Sequence, residues 1–210
     1  MSIRVLLADD HQIVRQGVRL LLERVGLTVV AEAANGPDAV ELALRHAPDV
    51  AVLDFVMPRL NGLDAAREIL RRQPAIGVVL LSMQTQEHQV AAALRASIRA
   101  YVAKTQAADD LVHAIREVAA GRVFLSSSIS HVIVSGYLSG AKPAVDPLAP
   151  CERQVLQLVA EGHTSKEIAS ELGVSVKTAE SYRAHIMEKL GIHETANLVR
   201  YAIRQGLVLP

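Results

Sequence analysis

The chain has no tryptophan, and aromatic residues make up only 3% of its 210 positions. Its core must therefore be aliphatic, built from Ala, Val, Leu and Ile. There is one cysteine, Cys151, which excludes an internal disulfide framework and fits a reducing compartment. Charge of one sign is lacking too: 22 basic residues balance 22 acidic ones. Any contact with nucleic acid must then come from a local patch. No apolar run approaches the roughly 20 residues of a bilayer span, and Asp9 and Asp10 arrive too early for a signal peptide's apolar region. The expectation is a soluble, cytoplasmic protein with no membrane partner. Half of the residues are hydrophobic, enough for one large domain or two small ones.

What is present is a repeated theme. Short aliphatic runs at 3–8, 28–33, 49–54, 77–82 and 99–103 alternate with segments of helical periodicity. Such alternation indicates a parallel sheet covered on both faces. Three of the runs end in polar groups: Ile3–Ala8 in Asp9-Asp10, Val50–Leu53 in Asp54, and Gly77–Leu81 in Ser82. Open α/β sheets place their chemistry at that carboxyl edge. An isolated Asp there could simply cap a helix; three strands delivering such groups to one edge suggest a site. The first helix, 13–25, is expected to bury Val14, Val18, Leu21, Leu22 and Val25. The third, 63–72, is expected to leave Arg67, Arg71 and Arg72 exposed.

After Gly121 the texture changes. Ile129–Leu138 reads as a linker helix, with an exposed loop as the alternative, and the Gly- and Pro-containing stretch 139–147 reads as a hinge. The organisation expected is 1–120, a linker at 121–147, and a helical unit at 148–210. In that unit Pro150 opens a helix carrying Val155, Leu156 and Val159. Thr164-Ser-Lys-Glu167 has capping-box spacing. Gly173-Val-Ser175 then turns the chain into a helix over 176–190. Helix, Gly-containing turn and helix form a helix-turn-helix pattern.

These residues carry a resemblance that spans the chain. Residues 1–120 resemble a two-component receiver domain, with the acidic pair Asp9 and Asp10, the D-x-x-M-P loop Asp54–Pro58, Ser82 after the fourth strand and Lys104 after the fifth. Residues 148–210 resemble a LuxR-type DNA-binding domain, in Leu148-x-Pro-x-Glu-Arg-x-Val-Leu156, Ser165-Lys-Glu-Ile-Ala169 and Val176-Lys-Thr-x-Glu180. Together they resemble the NarL/FixJ subfamily of response regulators. The resemblance implies a doubly wound, flavodoxin-like sheet of five parallel strands followed by a small all-α domain. It implies Asp54 as phosphoacceptor for a sensor histidine kinase. It further implies Mg²⁺ held by Asp10, Asp54 and the Val56 carbonyl, with Asp9 acting through water. Lys104 and Ser82 would contact the phosphoryl oxygens, and Tyr101 would be the switch aromatic. Thr105 stands where many receivers have Pro. Plain alternatives are that Tyr101 is strand-edge packing and that Ser82 caps the next helix.

The chemistry agrees with this reading. A carboxylate can take a phosphoryl group as an acyl phosphate, and phosphoryl transfer needs positioning and charge neutralisation above all. Clustered carboxylates repel until a hard divalent cation joins them. In the second unit, the helix over 176–190 is expected to enter a DNA major groove. Glu180, Ser181 and Ala184 are assigned to base edges, and Lys177, Thr178 and Arg183 to phosphates, with His185 on the same outward face. Glu180 could instead be a solvated charge. A near-neutral domain binds weakly by itself, so an active homodimer on paired half-sites is expected. A turnover enzyme would need a second carboxylate two residues after Asp54, where Val56 stands. The chain is therefore expected not to be an enzyme. The remaining alternative is phosphorylation-independent DNA binding or scaffolding with a vestigial receiver.

Overall fold

The computed structural model describes residues 2–83, 86–105, 108–138 and 147–209. The expected hinge at 139–147 lies outside the described residues except for Pro147. The five aliphatic runs form strands Arg4–Ala8 (β1), Thr28–Ala33 (β2), Val50–Asp54 (β3), Gly77–Ser82 (β4) and Ala100–Ala103 (β5). The described sheet has six strands rather than five. Phe124–Leu125 (β6) pairs in parallel with Ala100 and Tyr101, a ladder too short to show any period in sequence. The strand order is β2-β1-β3-β4-β5-β6, with every neighbouring pair parallel.

Helices Gln12–Arg24 (α1), Gly36–His46 (α2), Gly62–Arg72 (α3), Glu87–Arg95 (α4) and Ala108–Ala119 (α5) follow the first five strands in turn. The pleat divides each strand between two cores. Val5, Leu7, Val52 and Val79 meet Leu22 of α1 and Leu111, Ile115 and Val118 of α5. Leu6, Ala8, Leu53 and Leu80 meet Ala39 and Ala43 of α2, Ile69 of α3 and Val90 of α4. Each fully buried Val or Leu contributes about 1.5–3 kcal/mol, and the core is mainly aliphatic, with Phe55 and Tyr101 also buried in it.

Two expectations are corrected here. Val14 is not buried: it is 38% exposed, beside Ile13 at 85%. It sits in the first turn of α1 and is not among the residues packed against the core, whereas Val18, Leu21 and Val25 further along are. Arg67 is half-buried rather than free, because its Nη1 donates to Asp64 Oδ1 at 2.8 Å.

The linker residues Ser127–Leu138 form a helix (α6), and Ile129 packs into the core beside α4 and β5. The remaining helices, Pro150–Ala160 (α7), Ser165–Leu172 (α8), Val176–Leu190 (α9) and Thr195–Arg204 (α10), close around Leu156, Leu158, Ile168, Ile186 and Leu198. The capping box is present: Glu167 N–H donates to Thr164 Oγ1 (3.3 Å), and Thr164 N–H donates to Glu167 Oε2 (2.7 Å). Gly173, at φ 65°, makes the turn into α9, where Ser175 Oγ accepts from Thr178 N–H at 3.1 Å. At α7 only half a box exists. Ala149 has no acceptor, yet its N–H donates to Glu152 Oε2 at 2.8 Å.

Candidate functional site

The strand order reverses between β1 and β3, so their carboxyl ends open the crevice where such sheets bind ligands. Asp9 follows β1, Asp54 ends β3, and Ser82 ends β4. Lys104 reaches in from just beyond β5, its Nζ 2.7 Å from Asp54 Oδ2 and 2.7 Å from Asp9 Oδ2. Its backbone N–H donates to the Ser82 carbonyl at 2.8 Å. Asp54, Ser82 and Lys104, with His11, Phe55, Val56, Met83 and Gln89, line a cavity of about 50 Å³. Asp9, Asp54, Ser82 and Lys104 thus lie at one edge, as their positions after the aliphatic runs led one to expect.

Electrostatics single out Asp54. Burial pushes its carboxyl up to about 6, against the lowering pull of Lys104, and Asp9 and Asp10 add to the rise. Burial works against the Lys104 cation, but Asp54 and Asp9 more than restore it, so its ammonium is held above the usual lysine range. Tyr101 is 1% exposed and shares a hydrogen bond with Ser82; burial pushes its phenol up to about 12. Its ring also lies 6.2 Å from that of Phe55. Tyr101 is thus bonded directly to the hydroxyl at the site, which edge packing alone would not require.

Asp9, Asp10, His11 and Asp54 bring potential ligand atoms within 4.8 Å of one another. His11 Nδ1 approaches Asp10 Oδ1 at 2.8 Å but off the line of a hydrogen bond, so that buried oxygen has no donor. An unsatisfied buried carboxylate oxygen among like charges is what a divalent cation relieves. The residues present fit such an ion.

Beneath the carboxylate, Gly62 N–H donates to Phe55 O at 2.8 Å. A Cβ on Gly62 would stand 2.0 Å from the Asp54 carbonyl oxygen. The loop between β3 and α3 then makes contacts that the sequence did not disclose. Gln157 of α7, fully buried, donates from Nε2 to Met57 O (2.7 Å) and accepts at Oε1 from Asn61 N–H (2.8 Å). Arg153 of α7 grips Asp64 with Nε and Nη2 at 2.7 and 2.8 Å. Arg59 has φ 69°, a left-handed conformation unusual for its type, and its N–H donates to Glu161 at 3.0 Å. Its guanidinium donates to Glu171 at 2.6 Å. The loop between β3 and α3 is thus docked directly on α7 and α8.

On α9, Lys177, Glu180, Ser181, Ala184 and His185 are exposed together, as expected of an outward face, while Ala179 and Ile186 are buried. Docking leaves that face uncovered. Two expected phosphate contacts are already engaged: Arg183 Nη1 donates to Ser165 Oγ at 3.2 Å, and the Thr178 hydroxyl lies 2.8 Å from that of Ser175. Cys151 is half-buried and hydrogen-bonded to Tyr182.

Comparison with known proteins joins the two parts. Residues 5–116 match the response regulator receiver domain, and residues 146–202 match the bacterial regulatory proteins of the luxR family. The chain is 35% identical over 208 residues to response regulator UvrY of Escherichia coli K12, covering 98% of this chain and 95% of that protein. It is 35% identical over 212 residues to response regulator GacA of Pseudomonas aeruginosa, covering 98% of both. RcsB from Salmonella enterica serovar Typhimurium, solved on promoter DNA with a phosphomimetic, superposes with a TM-score of 0.65 at 29% identity, over 96% of this chain and 98% of that one. With both family models matched in order along one chain and relatives aligned over nearly its whole length, the chain belongs to the NarL/FixJ-type response regulators and is a DNA-binding regulator of transcription.

Proposed function

We propose that Asp54 accepts a phosphoryl group from a sensor histidine kinase and that this controls how the helical unit engages promoter DNA in the cytoplasm. The observation that carries the reading is the placement of Lys104 Nζ at 2.7 Å from both Asp54 and Asp9 at the sheet's switch point. Asp54 supplies the attacking oxygen, and Gly62, Phe55 and the β3 ladder fix its backbone. Asp9, Asp10, Asp54 and the Val56 carbonyl would hold Mg²⁺, which supplies charge neutralisation for the transferred group. Lys104 neutralises a phosphoryl oxygen, and Ser82 donates a hydrogen bond to another. Since Ser82 is bonded to Tyr101, its shift moves that ring. Asp54 is consumed in self-modification and not in turnover, so the chain is no enzyme.

The division of labour follows: 1–120 receives, 121–147 links, and 148–210 reads DNA. Glu180, Ser181 and Ala184 face base edges, with Lys177, Thr178, Arg183 and His185 toward the backbone. Two copies on paired half-sites supply the affinity that one near-neutral unit lacks. The exposed α9 face supports a second reading, in which the docked chain already binds one half-site without phosphorylation. In the first reading, docking restrains pairing of copies rather than contact with DNA.

Titration against a library of single-base variants of a paired half-site, with and without a small phosphodonor, separates these readings. Phosphorylation should tighten binding without altering base preference; unchanged affinity supports the second reading. A carboxylate in a phosphate-lined groove needs a donor such as cytosine N4. Glu180→Ala should therefore relax discrimination at one position per half-site by about 1–3 kcal/mol. Lys177→Ala should weaken all sequences alike and flatten the salt dependence. An unaltered preference in Glu180→Ala would make Glu180 a solvated charge.

A further inference from the structure

The Asp54 cavity has one wall that the sheet edge does not supply. After α10 the chain turns at Gly206, φ 69°, and runs back toward the sheet. Leu207 is buried in the helical core, and Leu209 lines the Asp54 cavity together with His11, Met83 and Lys104. Gln89 of α4, 2% exposed, lines the same cavity and donates from Nε2 to Gln205 O at 3.2 Å. That bond ties the base of the segment to the receiver. Leu209 and Met83 remain 51% and 67% exposed, two apolar side chains at the cavity mouth.

We propose that Leu209 is a specificity-determining residue for phosphoryl transfer to Asp54, limiting the size of leaving group that the docked chain accepts. The proposal rests on Asp54 being the phosphoacceptor. In the transfer an Asp54 carboxylate oxygen forms the new bond to phosphorus while the donor's bond to phosphorus breaks. The leaving group departs with the electron pair, opposite the attacking oxygen. From a carboxylate at the floor of the cavity, opposite means outward through the mouth. A space of about 50 Å³ admits only a few atoms, so the leaving group must fit at the rim. An imidazole ring, which any phosphohistidine presents, meets Leu209 there; the small amine leaving from phosphoramidate does not. The helical unit thus screens donors for the receiver.

The test is the rate at which the full chain is phosphorylated by phosphoimidazole and by phosphoramidate in Mg²⁺. Both donors break a P–N bond, so the ratio of the two rates reports mainly leaving-group size. Leu209→Ala should raise the phosphoimidazole-to-phosphoramidate ratio by about tenfold, the factor that relief of about 1.4 kcal/mol of steric overlap in the transition state gives. Leu209→Trp should lower it. Gln89→Ala, which frees the segment, should move it in the same direction as Leu209→Ala. Leu209 is half exposed, so its variants fold. One ratio shared by all these chains overturns the gate while leaving Asp54 the acceptor. Failure of both donors to modify Asp54 overturns both readings.

Discussion

Arg153→Ala should pull the receiver and the helical unit apart. Asp64 is 5% exposed, and Arg153, 6% exposed, closes both of its oxygens. Removing one partner of a buried pair costs about 3–5 kcal/mol, because the other charge is left desolvated. Arg67 and Asn61 still touch Asp64, which places the cost toward the lower end. The chain can escape the penalty by undocking, since separation returns Asp64 to water. The readout is therefore an increased radius of gyration in solution scattering and two resolved melting transitions where the parent shows one. An unchanged radius would mean that the other contacts hold the units together. The acid limb adds a sign. Burial alone would raise the Asp64 carboxyl, but Arg153, Asn61 and Arg67 hold it below the usual carboxylate range. A depressed folded value contributes stability that is fully present above the unfolded pKa of about 3.9. It is lost as pH falls through the folded value. Docking of the parent should weaken in that window, and the loss should be smaller in Arg153→Ala.

Gly62→Ala should be as damaging at the site itself. The added carbon would lie 2.0 Å from the Asp54 carbonyl oxygen and 2.9 Å from its carbon. Both are backbone atoms of a central strand, and they cannot rotate away as a flexible side chain could. Overpacking of this kind costs about 1–3 kcal/mol or more, and here the strain falls on the proposed phosphoacceptor. Gly26→Ala is the control. Nothing stands within 4 Å of its new carbon, but φ is +82°, so it costs about 1–2 kcal/mol through backbone strain alone. Gly62→Ala should slow phosphorylation strongly relative to Gly26→Ala at matched stability. Equal rates would show that the loop absorbs the carbon elsewhere.

The acidic edge was legible because Asp9, Asp54 and Ser82 each follow an aliphatic run, and runs that short, bounded by turn residues and alternating with helical segments, favour buried strands. Ser82 and Tyr101 were legible as positions; their hydrogen bond was not, since it depends on how far β4 and β5 carry their ends. Val14 misled because periodicity gives a helix's apolar face but not how much of that face is covered. The docking contacts were hidden for a different reason: Arg153, Gln157 and Glu161 meet partners about a hundred positions away, across two units with separate cores. One signal was available. Val155-Leu-Gln-Leu-Val159 is apolar around most of the helix circumference, more than a helix with one buried face requires. Leu209 had no such signal, because a single apolar residue after a helix is ordinary.

The central claim is that Asp54 is a Mg²⁺-dependent phosphoacceptor, and intact-mass measurement after incubation with a small phosphodonor tests it most directly. The account predicts one phosphoryl group on the parent chain, none when the divalent cation is chelated, and none on Asp54→Asn. A phosphoryl group that persists on Asp54→Asn, or that is added equally well in chelator, would contradict it.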